Sequence, residues 1–139
     1  MSILALDVGE RRIGIAVSDP FETFALPSGV IERSNVRDDL AKIVALAQER
    51  GAATIVVGDP VSLSGERGIA AEKMDRFCVA LARVYDGTIE RVDERLTTAQ
   101  ATKTLIAADV SRARRKRVVD QMAAALILEA FLARRRVRQ

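Results

Sequence analysis

Three acidic positions carry most of the chemical interest of this sequence. Asp7 closes the apolar run Ile3-Leu4-Ala5-Leu6, and Gly9 follows two residues later. Alone it reads equally well as an ordinary turn aspartate. Asp93 and Glu94 stand just past a second strand candidate, Thr88 to Val92. Asp120 is followed by Ala123, Ala124, Ile127 and Phe131 at the spacing of a single helical face. It therefore shares a stripe with apolar residues, where an unpartnered carboxylate is costly. One explanation is a structural ion pair with Arg112, Arg115 or Lys116. The other is that the small residues Ala123, Ala124 and Ala125 let the helix approach a sheet closely, delivering Asp120 to strand ends that already hold Asp7 and Glu94.

Carboxylates gathered in this way need a cation. Two like charges about 4 Å apart repel by roughly 4 kcal/mol at an effective dielectric near 20. All-oxygen ligands select a hard ion, Mg²⁺ or Mn²⁺. Two such ions roughly 4 Å apart could activate a water and stabilise the leaving oxygen of a phosphodiester. The chain contains no His, which excludes a histidine base or ligand, and its one cysteine, Cys78, argues against a zinc site. Asp59, directly after the run Thr54 to Val57, is a candidate outer ligand, and reads at least as well as a turn residue in Gly58-Asp59-Pro60. Asp93 and Glu94 compete for the inward position, because the strand phase cannot be fixed to one residue.

The charge distribution points to a polyanionic partner. Nine of the 22 basic residues fall in two clusters, Arg112, Arg114, Arg115, Lys116 and Arg117, then Arg134, Arg135, Arg136 and Arg138; the rest of the chain has fewer bases than its 19 acids. Segregated positive charge suits nucleic acid, because each neutralised phosphate releases condensed counterions. Arg11 and Arg12, on the turn after Asp7, are further candidates for phosphate contact, and Gly65-Glu66-Arg67-Gly68 could offer backbone N–H groups to an anion. Aromatics are only 4% of the chain, so backbone and shape recognition fit better than base stacking.

The elements needed to position these residues follow from hydrophobic periodicity. Ile3 to Leu6, Ile13 to Ser18 and Thr23 to Ile31 read as three strands of an antiparallel meander, the third confined to an edge or bulge by Pro27. Ser34 is placed to cap a helix with the stripe Val36, Leu40, Ile43, Val44 and Ala47, stopped by Gly51. Thr54 to Val57 reads as a strand covered on both faces. A helix facing inward through Met74, Phe77, Cys78, Leu81 and Val84 leads to the fifth strand, Thr88 to Val92. Thr97 or Thr98 caps a helix to about Ala108, and a last helix runs from about Arg115 to Arg134. The expected fold is α/β: a mixed five-stranded sheet with helices on its faces, in one domain over 1–139, with 134–139 a basic flexible tail. The opening apolar run is too short for a signal peptide, no stretch approaches a membrane span, and one cysteine suits a reducing compartment, so a cytoplasmic protein is expected.

Four ordered motifs resemble the YqgF family, also called RuvX. They are Ala5-Leu6-Asp7-Val8-Gly9-Glu10-Arg11-Arg12-Ile13-Gly14-Ile15-Ala16; Val56-Val57-Gly58-Asp59-Pro60 with Gly65 and Gly68; Val92-Asp93-Glu94-Arg95-Leu96-Thr97-Thr98; and Val119-Asp120-Gln121-Met122-Ala123-Ala124-Ala125-Leu126-Ile127-Leu128. The resemblance spans nearly the whole chain. It implies an RNase H-like fold, kinship with Holliday-junction resolvases, and a role in maturing the 5′ end of pre-16S ribosomal RNA. Carried over by motif, the catalytic and metal-binding acids would be Asp7, Glu94 and Asp120; Asp59 or Asp93 as a further metal ligand is an expectation from position at the strand ends alone. The nucleic-acid contacts expected from charge and position, not from the resemblance, are Arg11, Arg12, Arg95, Arg112, Arg114, Arg115, Lys116 and Arg117. Asp59 departs from the family, which commonly has an apolar residue there.

Two other readings compete with a metal-dependent RNA-processing nuclease. A resolvase cutting branched DNA needs paired active sites, hence a homodimer. A nucleic-acid-binding assembly factor without catalysis would tolerate loss of the acids. A sugar or acetate kinase of the actin-like type shares the Asp-x-Gly signature, but it needs two such domains and 139 residues cannot hold them.

Overall fold

The computed structural model describes residues 1–60, 68–93 and 112–138, without the side chains of 112–117, 137 and 138. Five strands form one mixed sheet: β1 (Ser2–Val8), β2 (Arg12–Ser18), β3 (Ala25–Glu32), β4 (Ala52–Asp59) and β5 (Thr88–Asp93). Their order is β3-β2-β1-β4-β5. The pairs β1–β2 and β2–β3 are antiparallel, while β1–β4 and β4–β5 are parallel. The meander and the parallel extension are as the periodicity predicts. Strand β4 lies between β1 and β5, so Asp7 and the end of β5 are two strands apart rather than adjacent. Pro27 lies on the edge strand, where its missing N–H costs nothing, and the β2–β3 register shifts beside it.

Strand β1 is buried on both faces, which explains its unbroken apolar run. Leu4 and Leu6 join a core with α1 (Val36–Glu49) and α2 (Ile69–Val84). Ile3 and Ala5 join a second core with Val56, Val92 and the helix α3 (Arg112–Arg138). Alternation along each strand thus assigns every residue to an α1/α2 face or an α3 face.

Several boundaries differ from expectation for identifiable reasons. Helix α1 is capped by Asn35, whose Oδ1 accepts from the Asp38 N–H at 2.9 Å. Ser34 instead donates its N–H to Asp39 at 3.0 Å; Asp39 is 1% exposed and also binds Arg33. In α2, Met74, Phe77 and Leu81 are buried, but Val84 is 52% exposed because the helix ends there. The basic segment from Arg134 is not a tail, since α3 continues through Arg138. Arg134 and Arg135 lie over the Phe131 ring, Arg135 pairs with Glu22 at 3.3 Å, and Arg136 donates to the Thr23 carbonyl. The helix expected up to Ala108 falls outside the described residues. Among the described residues, no helix is long and apolar enough to cross a membrane.

Candidate functional site

Asp7 is the penultimate residue of the central strand, and its side chain is 5% exposed. By alternation with Ile3 and Ala5 it points to the α3 face. Its antiparallel partner on β2 is Gly14. On the other side the parallel register pairs Leu6 with Val57, which sets Gly58 beside Asp7. The carboxylate therefore stands on a floor bounded by two glycines, with no neighbouring side chain on either flanking strand at that level.

Helix α3 crosses that floor. A Cβ built on Gly14 would fall on the backbone carbonyl of Asp120. Only a glycine admits so close an approach, and Ala123, Ala124 and Ala125 extend the tight contact along the helix. Gln121 anchors the same turn of helix: its Oε1 accepts from the N–H of Gly29 at 2.9 Å. Gly29 has a φ of 101°, the left-handed region that glycine tolerates. Because Gly14 is the cross-strand partner of Asp7, seating Asp120 upon it brings these two acids to one end of the sheet. Asp120 is half-buried. Glu94 and Arg95 fall outside the described residues, as do the side chains of Arg112, Arg114, Arg115, Lys116 and Arg117. Among the described residues, no three acidic, histidine or cysteine groups are placed to share a metal ion.

The remaining candidate acids occupy the opposite face. Val92 packs into the α3 core, so its neighbours Arg91 and Asp93 point toward α2. Asp59 pairs in register with Asp93 and faces the same way. Arg91 joins this group, donating to Asp59 at 2.8 Å and to Asp75 of α2 at 2.5 Å. Burial disfavours its charge, but hydrogen bonding to Asp75 and the charge of Asp59 outweigh this and raise its pKa. Burial pushes the nearby Cys78 thiol up, which disfavours its thiolate. The structure thus does not bring Asp59 or Asp93 to Asp7. The candidate phosphate contacts also divide: Arg11 is exposed, whereas Arg12 is paired with Glu32 at 3.4 Å.

Two contributors were missed from sequence. Gly14 gave no signal beyond being a glycine inside a strand, which commonly marks close backbone approach. Arg91 was passed over as one polar position in a short strand, although a cation there implies an acid on the facing helix.

The chain matches the family model RuvX, described as Holliday junction resolvase, over residues 1–134. Among curated relatives, a Clostridium perfringens protein is 40% identical over 134 residues, covering 96% of this chain and 98% of its own. A Chloroflexus aurantiacus protein is 43% identical over 134 residues, covering 96% of this chain and 88% of its own. Both are provisionally named pre-16S rRNA nuclease. Thermus thermophilus RuvC, solved in complex with a Holliday junction substrate, superposes with a TM-score of 0.60 at 15% identity, covering 96% of this chain and 95% of that one. That likeness establishes the fold, which is RNase H-like.

Proposed function

This chain belongs to the RuvX family and is a nuclease; from that premise we propose that it cuts pre-16S ribosomal RNA at its 5′ end, using Asp7, Glu94 and Asp120 to hold Mg²⁺ or Mn²⁺. The observation that carries this reading is the seating of the Asp120 backbone on Gly14, the strand partner of Asp7. A buried carboxylate on a glycine floor, with a second acid delivered by a closely packed helix, is an all-oxygen donor set suited to a hard divalent ion. Of the two acids at the end of β5, Asp93 faces α2, away from Asp7, which leaves Glu94 as the candidate.

When bound, a divalent cation would acidify a water and stabilise the leaving oxygen of a phosphodiester. The protein's own part is geometric. The central strand fixes Asp7 through a core on either face, and Gly14 gives its place above the sheet to the Asp120 backbone. Helix α3 holds Asp120 through backbone contact rather than through a long side chain. Such rigidity keeps reacting groups within the narrow tolerance that positioning requires.

The test is cleavage of end-labelled single-stranded RNA, a pre-16S fragment and a DNA four-way junction, in Mg²⁺, Mn²⁺ or EDTA, by wild type and Asp7→Asn. Metal-dependent cutting of the ribosomal fragment is expected, falling more than about a hundredfold in the variant. Equal cutting by Asp7→Asn would remove Asp7 from the site. The family model's description favours one second reading, a resolvase. Preferential cutting of the four-way junction by a dimer would establish it instead.

A further inference from the structure

On the sheet face opposite Asp7, a groove of about 720 Å³ opens between the tip of β1 and the starts of α1 and α2. Its walls are apolar: Val8, Val36, Ile69 and Met74, with Phe77 beneath. Val36 and Ile69 are exposed, at 47% and 73%. Among the described residues three cations, Arg33, Lys73 and Arg76, rim it against one acid, Glu10. Arg33 is committed to the protein, since it pairs with Asp39, donates to the Gly9 carbonyl at 2.7 Å and lies 5.8 Å from the Phe77 ring centre. Lys73 and Arg76 are exposed and make no ion pair among the described residues. One turn apart on α2, they stand side by side on its surface.

We propose that this groove takes an unpaired nucleotide of the substrate strand next to the scissile phosphate, its base against Ile69 and Val36 and its phosphates on Lys73 and Arg76. This rests on the nuclease reading given above. Continuity supports it: Asp7 and Val8 are consecutive on β1 and point to opposite faces, so a strand at Asp7 reaches the groove by crossing the tip of β1 at Gly9. Charge complementarity supports it as well, because a polyanion fits a rim with an excess of cations. The apolar interior selects a base that is not already stacked in a helix, which is how single strands are distinguished from duplexes. A rigid duplex keeps its bases stacked inside it, so it could not enter the groove and would not seat its phosphates on Lys73 and Arg76.

The experiment measures binding in EDTA, where cleavage plays no part. Probes are a short fluorescein-labelled single-stranded RNA, an abasic strand of equal length, and the corresponding duplex. Lys73→Glu/Arg76→Glu is expected to weaken single-strand binding about tenfold or more and to lower the salt slope by about 1.4, two phosphate contacts on a single strand. Duplex binding should change less than about twofold. Ile69→Ser should weaken the base-containing strand but not the abasic one. All three substituted side chains are exposed, so folding is expected to be intact, and circular dichroism checks it. Unchanged single-strand binding, equal losses on duplex, or equal effects of Ile69→Ser on both strands would each overturn the proposal. Unchanged binding would assign the groove to a protein partner instead. If Asp7→Asn cleaves normally while these binding effects appear, it is the active-site assignment that fails and the groove that stands.

Discussion

At the scale of single residues, Gly14 sets the geometry of the proposed site. Its missing Cβ is the space into which the Asp120 backbone fits. Gly14→Ala must therefore part α3 from β2, and two effects should follow together. Overpacking of this kind costs about 1–3 kcal/mol, visible as a lower urea midpoint. Displacing Asp120 by even an ångström should reduce cleavage on the order of a hundredfold. Loss of stability without loss of rate would show that Asp120 needs no such placement. The position of Asp7 was legible in part, because a carboxylate ending a fully apolar run fits the mouth of a buried strand, although it reads equally well as a turn aspartate until Asp120 is set beside it. Likewise the small residues after Asp120 announced a close approach. What they approached was not legible, since a glycine inside a strand leaves no periodic trace. The Asp59–Arg91–Asp75 group was hidden for a related reason: its members come from three elements whose faces are fixed only by the sheet register.

At the scale of elements, strand type followed from periodicity, because the cores on the two faces demand different residues from alternate positions, whereas the place of β4 between β1 and β5 did not. Ends were less legible, since local hydrogen bonds decide them; Asn35 caps α1, while Ser34 turns both its N–H and its Oγ to Asp39. The β2–β3 turn is another such case. Asp19 accepts from the N–H groups of Phe21 at 3.1 Å, Thr23 at 2.7 Å and Phe24 at 2.8 Å. Desolvation pushes its carboxyl upward, but these bonds outweigh it and hold the group below the usual carboxylate range. A folded state that binds the proton less readily than the unfolded chain gains stability above the ordinary carboxylate pKa. That gain disappears as the pH falls through the depressed folded value. The urea midpoint of Asp19→Ala should thus lie below wild type by a constant amount at neutral pH, and the two should converge in acid. A difference that persists undiminished in strong acid would mean that the ionised carboxylate is not what orders the turn.

At the scale of the whole molecule, the two basic clusters separate by what they touch. Sequence alone groups Arg134, Arg135, Arg136 and Arg138 with the basic residues that open the last helix, as if both addressed a polyanion. In the folded chain three of these arginines meet the protein itself: Arg134 and Arg135 stack on Phe131, Arg135 pairs with Glu22, and Arg136 caps the Thr23 carbonyl. They hold the end of α3 to the β2–β3 turn, at the pole of the sheet opposite the tip of β1. A phosphate contact there would have to displace an existing partner, and exposed pairs of this sort contribute about 1 kcal/mol or less to stability. The distinction is measurable through counterion release, which counts phosphates directly. Arg135→Gln/Arg136→Gln should lower the thermal midpoint by a few degrees, roughly as a loss near 1 kcal/mol would. RNA affinity should stay within about twofold and the salt slope should be unchanged. A slope reduced by about 0.7 for each arginine removed would place these side chains on the nucleic acid. The substrate would then run along α3 from Asp120 to its last turn, rather than leave the site over the tip of β1.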